Sequence, residues 1–107
     1  MPKLYKVVFT PRAERQLADL YAYVADHSDE ARAARFVGGI VDDCLSLREF
    51  PSRGTRRDDV RPHLRTMGHK RRVTIAFSVH TDTLIVAVHG VFYGGQDYVS
   101  LLRESDA

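Results

Sequence analysis

The apolar positions of the chain change period along its length, and the changes mark its elements. Leu4 to Phe9 is β-branched and aromatic and too short for a helix, so it predicts a first strand. Thr10-Pro11 then supplies an N-cap and a proline at the first helical position, where a missing N–H costs nothing. Ala13, Leu17, Leu20, Tyr21 and Val24 follow at helical spacing, with Arg12, Glu14, Arg15 and Asp19 off the stripe. The pattern breaks at His27-Ser28-Asp29-Glu30, where Ser28 is the expected cap of a second helix. Its apolar positions Ala33, Phe36, Val37, Ile40, Val41, Cys44 and Leu47 carry it to Phe50, and Pro51 ends it. So short a link predicts an antiparallel helical hairpin.

Beyond the loop composition of Pro51 to Thr55 the period becomes two. His63 to Met67 predicts a short strand and Met67-Gly68-His69 a turn. Val73, Ile75, Phe77 and Val79 alternate with Thr74, Ala76 and Ser78, the clearest strand in the chain. Thr81-Asp82-Thr83 closes a hairpin onto a return strand from Leu84 to Tyr93. An unbroken alternation there puts Leu84, Val86, Val88 and Phe92 toward the helices, and Ile85, Ala87, His89, Val91 and Tyr93 on the other face. Gly94-Gly95 interrupts, Gln96 to Leu102 predicts a short helix or strand, and 103–107 a flexible tail. The expected class is α+β: a helical hairpin on a small, mainly antiparallel sheet, in one domain over 1–107.

Charge adds what the periodicity does not. The whole chain carries only +2, yet Arg53 to Arg72 holds eight Lys or Arg against two Asp, leaving −4 for the remainder. Neutralised phosphates would reward such a block with salt-dependent affinity, but Asp58 and Asp59 sit among Arg56, Arg57 and Arg61, and no stripe of stacking aromatics runs through it. An acidic protein surface is therefore the expected partner, with Leu64 and Met67 as apolar anchors beside the arginines. No apolar run suggests a signal peptide or a membrane span, so a cytoplasmic location without membrane contact is expected. Cys44 is the single cysteine and lies on the apolar stripe of the second helix. The five histidines show no helical i, i+4 pair and no cysteine companions, and Gly94-Gly95 is not followed by Lys-Ser/Thr; neither a metal nor another cofactor is expected.

Phe9-Thr10-Pro11-Arg12-Ala13 with Leu17 and Tyr21, Leu47 through Phe50-Pro51-Ser52-Arg53-Gly54, Lys70 through Phe77, and Val91-Phe92-Tyr93-Gly94-Gly95-Gln96-Asp97-Tyr98 occur in that order. In this order and spacing the chain resembles the ParE toxins of the ParE/RelE superfamily from Tyr5 to Leu102. The resemblance implies a toxin of a type II toxin–antitoxin pair that inhibits DNA gyrase without catalysis. It also implies a ParD-like antitoxin that neutralises the toxin in a hetero-oligomer and supplies any contact with operator DNA. Arg56, Arg57, Arg61, Leu64, Arg65, Met67, Arg72, Tyr93, Gln96, Asp97 and Tyr98 are the expected contacts with target or antitoxin. The RelE branch implies instead a metal-independent endoribonuclease acting on ribosome-bound messages. That chemistry needs a base, an acid and cations around one phosphate, and Arg65, Arg72, His89 and Tyr93 would supply them if all four share the sheet face away from the helices. A third alternative is a partner-binding module without toxicity.

Overall fold

The structure, a computed structural model, describes residues 4–104. Strand β1 (Lys6–Phe9) leads into helix α1 (Pro11–His27), which a sharp corner joins to α2 (Glu30–Leu45). Thr10 caps α1 as expected, its hydroxyl accepting from Ala13 N at 3.2 Å. The cap of α2 is Asp29 rather than Ser28: the Asp29 carboxylate accepts from Arg32 N at 2.7 Å, while Ser28 terminates α1. A carboxylate outcompetes a hydroxyl at this position because its charge also meets the positive end of the helix dipole. Helix α2 stops short of Phe50; a 3-10 turn at Ser46–Arg48 replaces its last turn and leaves Phe50 60% exposed.

The remaining strands are β2 (Thr55–Arg56), β3 (Leu64–His69), β4 (Val73–His80) and β5 (Ile85–Tyr93), followed by α3 (Tyr98–Glu104). Sheet order is β1-β5-β4-β3-β2, with β1 parallel to β5 and every other pairing antiparallel. The loop expected around Thr55 thus contributes a two-residue edge strand. The turn expected at Met67-Gly68-His69 belongs to β3, and the reversal falls on Lys70 and Arg71, both in the left-handed region at φ 51° and 61°. Left-handed residues at both central positions of the His69–Arg72 turn suit the twist of the flanking strands, but glycine or asparagine normally marks them. Of the expected tail, Arg103 and Glu104 belong to α3 and 105–107 lie outside the described residues.

The sheet has a core on each face. On the hairpin side Ala13, Leu20, Ile40, Cys44, Leu47, Met67, Val73, Ile75, Phe77, Val86, Val88 and Val91 pack together. On the other, Val60, Leu64, Ala76, Phe92 and Leu102 form a smaller cluster roofed by α3. Burial pushes the Cys44 thiol up to about 12, with the Asp43 carboxylate adding to the effect, so it stays protonated and inert. Tyr21, placed on the buried stripe by spacing, is instead 37% exposed.

Strand β4 alternates without interruption, but β5 does not. Ala76 pairs with Gly90 and Phe77 with Val88, so His89 is an extra residue in β5, a β-bulge. One inserted residue reverses the side-chain phase from that point on. Val86 and Val88 face the hairpin as expected, whereas Val91 and Tyr93 also face it and Phe92 faces away, opposite to the expectation. Helix α1 and its cap satisfy the backbone groups that the bulge releases. The Thr10 hydroxyl donates to His89 O at 3.2 Å, and Gln16 Oε1 accepts from Val91 N at 2.7 Å. Gly90 is required there, because a Cβ would stand 2.4 Å from the ring of Phe92, itself 1% exposed and unable to move aside.

Candidate functional site

The bulge decides how the polar residues are distributed. His89 lies on the face away from the hairpin, as expected, and its Nε2 is 2.7 Å from Ser78 Oγ, which is 2.8 Å from His80 Nε2. The serine hydroxyl has one proton and can donate to only one of the two rings. His89 Nδ1 is buried without a partner, and a bare lone pair there costs less than a stranded N–H, which assigns the His89 proton to Nε2. The chain of donation then runs from His89 through Ser78 to His80. Burial, with electrostatic repulsion from Arg61, His80 and Arg12 opposing a charge on the ring, lowers His89 to about 4 from its ordinary 6.5. It is therefore a neutral, packed imidazole near neutral pH.

The other three members of the proposed ribonuclease set are elsewhere. Arg65 stands opposite Phe77, whose ring is in the hairpin-side core, and donates to Ser52 O at 3.0 Å. Arg72 follows the β3–β4 turn and Tyr93 ends β5, and these two line one groove at the end of the helical hairpin where α1 turns into α2. The expected common face for Arg65, Arg72, His89 and Tyr93 does not form, because the bulge turns Tyr93 through to the hairpin side while His89 stays behind.

The expected protein-binding residues divide in the same way. Leu64 and Met67, expected as surface anchors, are 1% and 9% exposed, one in each core. Strand pairing places both on a pleated surface that is covered on both faces, which spacing alone does not reveal. Arg56 is paired with Asp58 at 2.9 Å and Arg57 with Asp59 at 3.0 Å. The His63 N–H, together with Arg56, holds the Asp58 carboxyl below the usual carboxylate range, and Arg57 does the same for Asp59. Arg57 also donates to Tyr98 Oη at 2.9 Å, and Tyr98 packs on Phe92, tying the 57–63 loop to α3. Gln96 accepts from Tyr93 N, and Asp97 accepts from the Ser100 main-chain N–H and hydroxyl at the start of α3. The Gly-Gly-Gln-Asp-Tyr ending is thus a turn and a helix start, with Gly94 at φ 71°.

What sequence reasoning missed is the rest of the groove. Tyr23, Val24, His27, Ser28, Arg32, Phe36, Lys70, Arg72 and Tyr93 enclose about 380 Å³, with no carboxylate among them. The rings of Tyr23 and His27 stack at 4.2 Å, Tyr93 lies 6.1 Å from Tyr23, and Phe36 meets Tyr93 edge-on at 6.3 Å. Phe36 in turn rests on His69, which is buried with its Nδ1–H donating to Asp43 at 2.6 Å beneath Gly39. A signal existed in Tyr23 and His27, an i, i+4 pair standing off the apolar stripe of α1. Among the described residues no cluster of His, Cys, Asp and Glu suits a metal ion, and no helix is long and apolar enough to cross a membrane.

Comparison with known proteins matches this arrangement. Solved structures similar to it include the chromosomal ParDE toxin–antitoxin system from P. aeruginosa, with a TM-score of 0.72 at 18% identity over 85% of this chain and 97% of that one. Another is the RelBE2 toxin–antitoxin complex from Mycobacterium tuberculosis, with a TM-score of 0.64 at 17% identity over 90% and 98%. At such identities these matches show the fold. No curated protein sequence matches the chain significantly. A family model described as the ParE toxin of the type II toxin–antitoxin system parDE matches residues 7–98, and the chain belongs to that family of ParE toxins.

Proposed function

We propose that the chain inhibits DNA gyrase by protein contact rather than by catalysis, and that a ParD-like antitoxin neutralises it. The dispersal of the ribonuclease set carries this reading: His89 is neutral and half-buried on one face, Arg72 and Tyr93 are on the other, and Arg65 is held to a loop carbonyl. No base, acid and phosphate-binding cation of that set converge on one point, as a metal-free cleavage requires. The antitoxin in this reading is acidic where it meets the edge of β2, beside Arg53, Arg56 and Arg65, and it alone contacts operator DNA. The complex is cytoplasmic.

A supercoiling assay with purified gyrase and relaxed plasmid tests the proposal. Supercoiling should fall as the toxin is added and return when the cognate antitoxin is supplied. Unchanged supercoiling at a large molar excess of toxin overturns it. Ribosome-bound messages should stay intact after induction; cleavage weakened by Arg72→Ala or Tyr93→Phe would favour the endoribonuclease reading instead.

A further inference from the structure

The groove at the α1–α2 corner of the hairpin continues into a second hollow of about 280 Å³, lined by Arg32, Arg35, Phe36 and Lys70. The two share Arg32, Phe36 and Lys70, so one concave track runs from Tyr23 and Tyr93 over Phe36 to Arg35. Four cations, Arg32, Arg35, Lys70 and Arg72, border it, and no carboxylate lines either hollow. Lys70, Arg35 and Arg72 form no ion pair among the described residues, while Arg32 is 3.6 Å from the Asp29 carboxylate in an exposed pair. The track ends on its other side, where a further hollow shares Tyr23 and Tyr93 but includes Asp19.

We infer that this track binds single-stranded nucleic acid, with a base stacked on the Tyr23–His27 ring pair and the backbone phosphates against Lys70, Arg72 and Arg32. Two observations converge on that ligand. Tyr23 is 51% exposed although its ring stacks on His27, so an aromatic side chain bordering the groove stays open to solvent where a hairpin side chain would ordinarily be packed or polar. Base stacking on such a face is sequence-tolerant and strong enough to matter. The cations come from two distant parts of the chain, the first turns of α2 and the β3–β4 turn, and border the same hollows as the rings. An acidic peptide would satisfy the charge, whereas a nucleotide strand matches both the charge and the paired rings, since every base has a face to stack. The inference is independent of the gyrase proposal, and either can fail alone.

Fluorescence anisotropy of the full chain with a short labelled oligothymidylate tests it. Binding in the range of about 1–100 μM at low salt is expected, with log K falling against log salt at a slope of about −2 for three phosphate contacts. Tyr23→Ala and the double variant Lys70→Ala/Arg72→Ala should each weaken binding about tenfold. Tyr23→Phe, which keeps the ring, should bind as the native chain does, and Arg15→Ala on the outer surface of α1 should have no effect. Circular dichroism verifies that each variant is folded. Absence of binding at about 100 μM protein overturns the inference. So does an equal loss in Arg15→Ala, equal affinity for a duplex of the same length, or displacement of the oligonucleotide by a glutamate-rich peptide at matched charge. The last result would make the track an acidic-protein site.

Discussion

The two faces of the sheet solve the same burial problem differently. The hairpin face is covered by two long helices and opens at one end into a groove of rings and cations. The opposite face is covered by one seven-residue helix and a loop, and its polar residues are internally paired: His89 with Ser78, Ser78 with His80, Arg57 with Asp59 and Tyr98. Cations left unpaired beside exposed rings are available for a ligand, whereas paired ones mostly hold the fold together. The concentrated charge between Arg53 and Arg72 therefore divides into a largely structural part before Leu64 and an available part at the β3–β4 turn.

Phe92→Ala attacks the smaller face at its centre. A buried phenylalanine truncation costs about 3–5 kcal/mol. Because Phe92 supports Tyr98 and neighbours Leu102, the same change should loosen α3. Urea unfolding measures the first effect and tryptic cleavage at Arg103 the second. If α3 stays protected, the two faces are more tightly coupled than the division implies.

Gly90→Ala tests the bulge that separates them. The added Cβ must displace the buried Phe92 ring and also crowds the Gln16 side chain that receives Val91 N–H, and overpacking of this kind costs about 1–3 kcal/mol. Thermal unfolding should show a clear loss, and unchanged stability would mean that the bulge relaxes freely.

The smallest effect concerns pH. A folded-state value of about 4 against an ordinary 6.5 means that the unfolded chain takes up a proton first as pH falls. The stability contributed by neutral His89 is complete above pH 6.5 and is lost between there and pH 4. At about 1.4 kcal/mol per pH unit the full shift would be worth about 3 kcal/mol, and the partial exposure of the ring reduces that to about 2. Denaturant titrations of the native chain and His89→Gln at pH 7 and 4.5 should differ by this amount in their pH dependence. Parallel behaviour would place the acid sensitivity in the carboxylates instead.

Much of the architecture was legible in the linear pattern. Thr10-Pro11, the stripe from Ala33 to Leu47 and the alternation from Val73 to Val79 each encode an element locally, because caps, helical faces and pleats depend on neighbours a few residues apart. The ordered motifs were sufficient for the family. The β3–β4 turn was not legible, since Lys70 and Arg71 adopt left-handed backbone without the usual marker residue. Nor was the capping choice between Ser28 and Asp29, where one residue separates two competent side chains.

The sequence by itself determined the hairpin, the strands, the family and the location of the excess charge, all of them properties of local order. Only the tertiary structure decided which charges meet which rings. The inserted His89 reverses the phase of β5, carries Tyr93 to the hairpin side and separates it from His89, while folding brings Arg32 and Phe36 of α2 up to Lys70 and Arg72. A one-residue change of register leaves almost no mark on composition or periodicity, yet it reassigns every side chain beyond it to the other face.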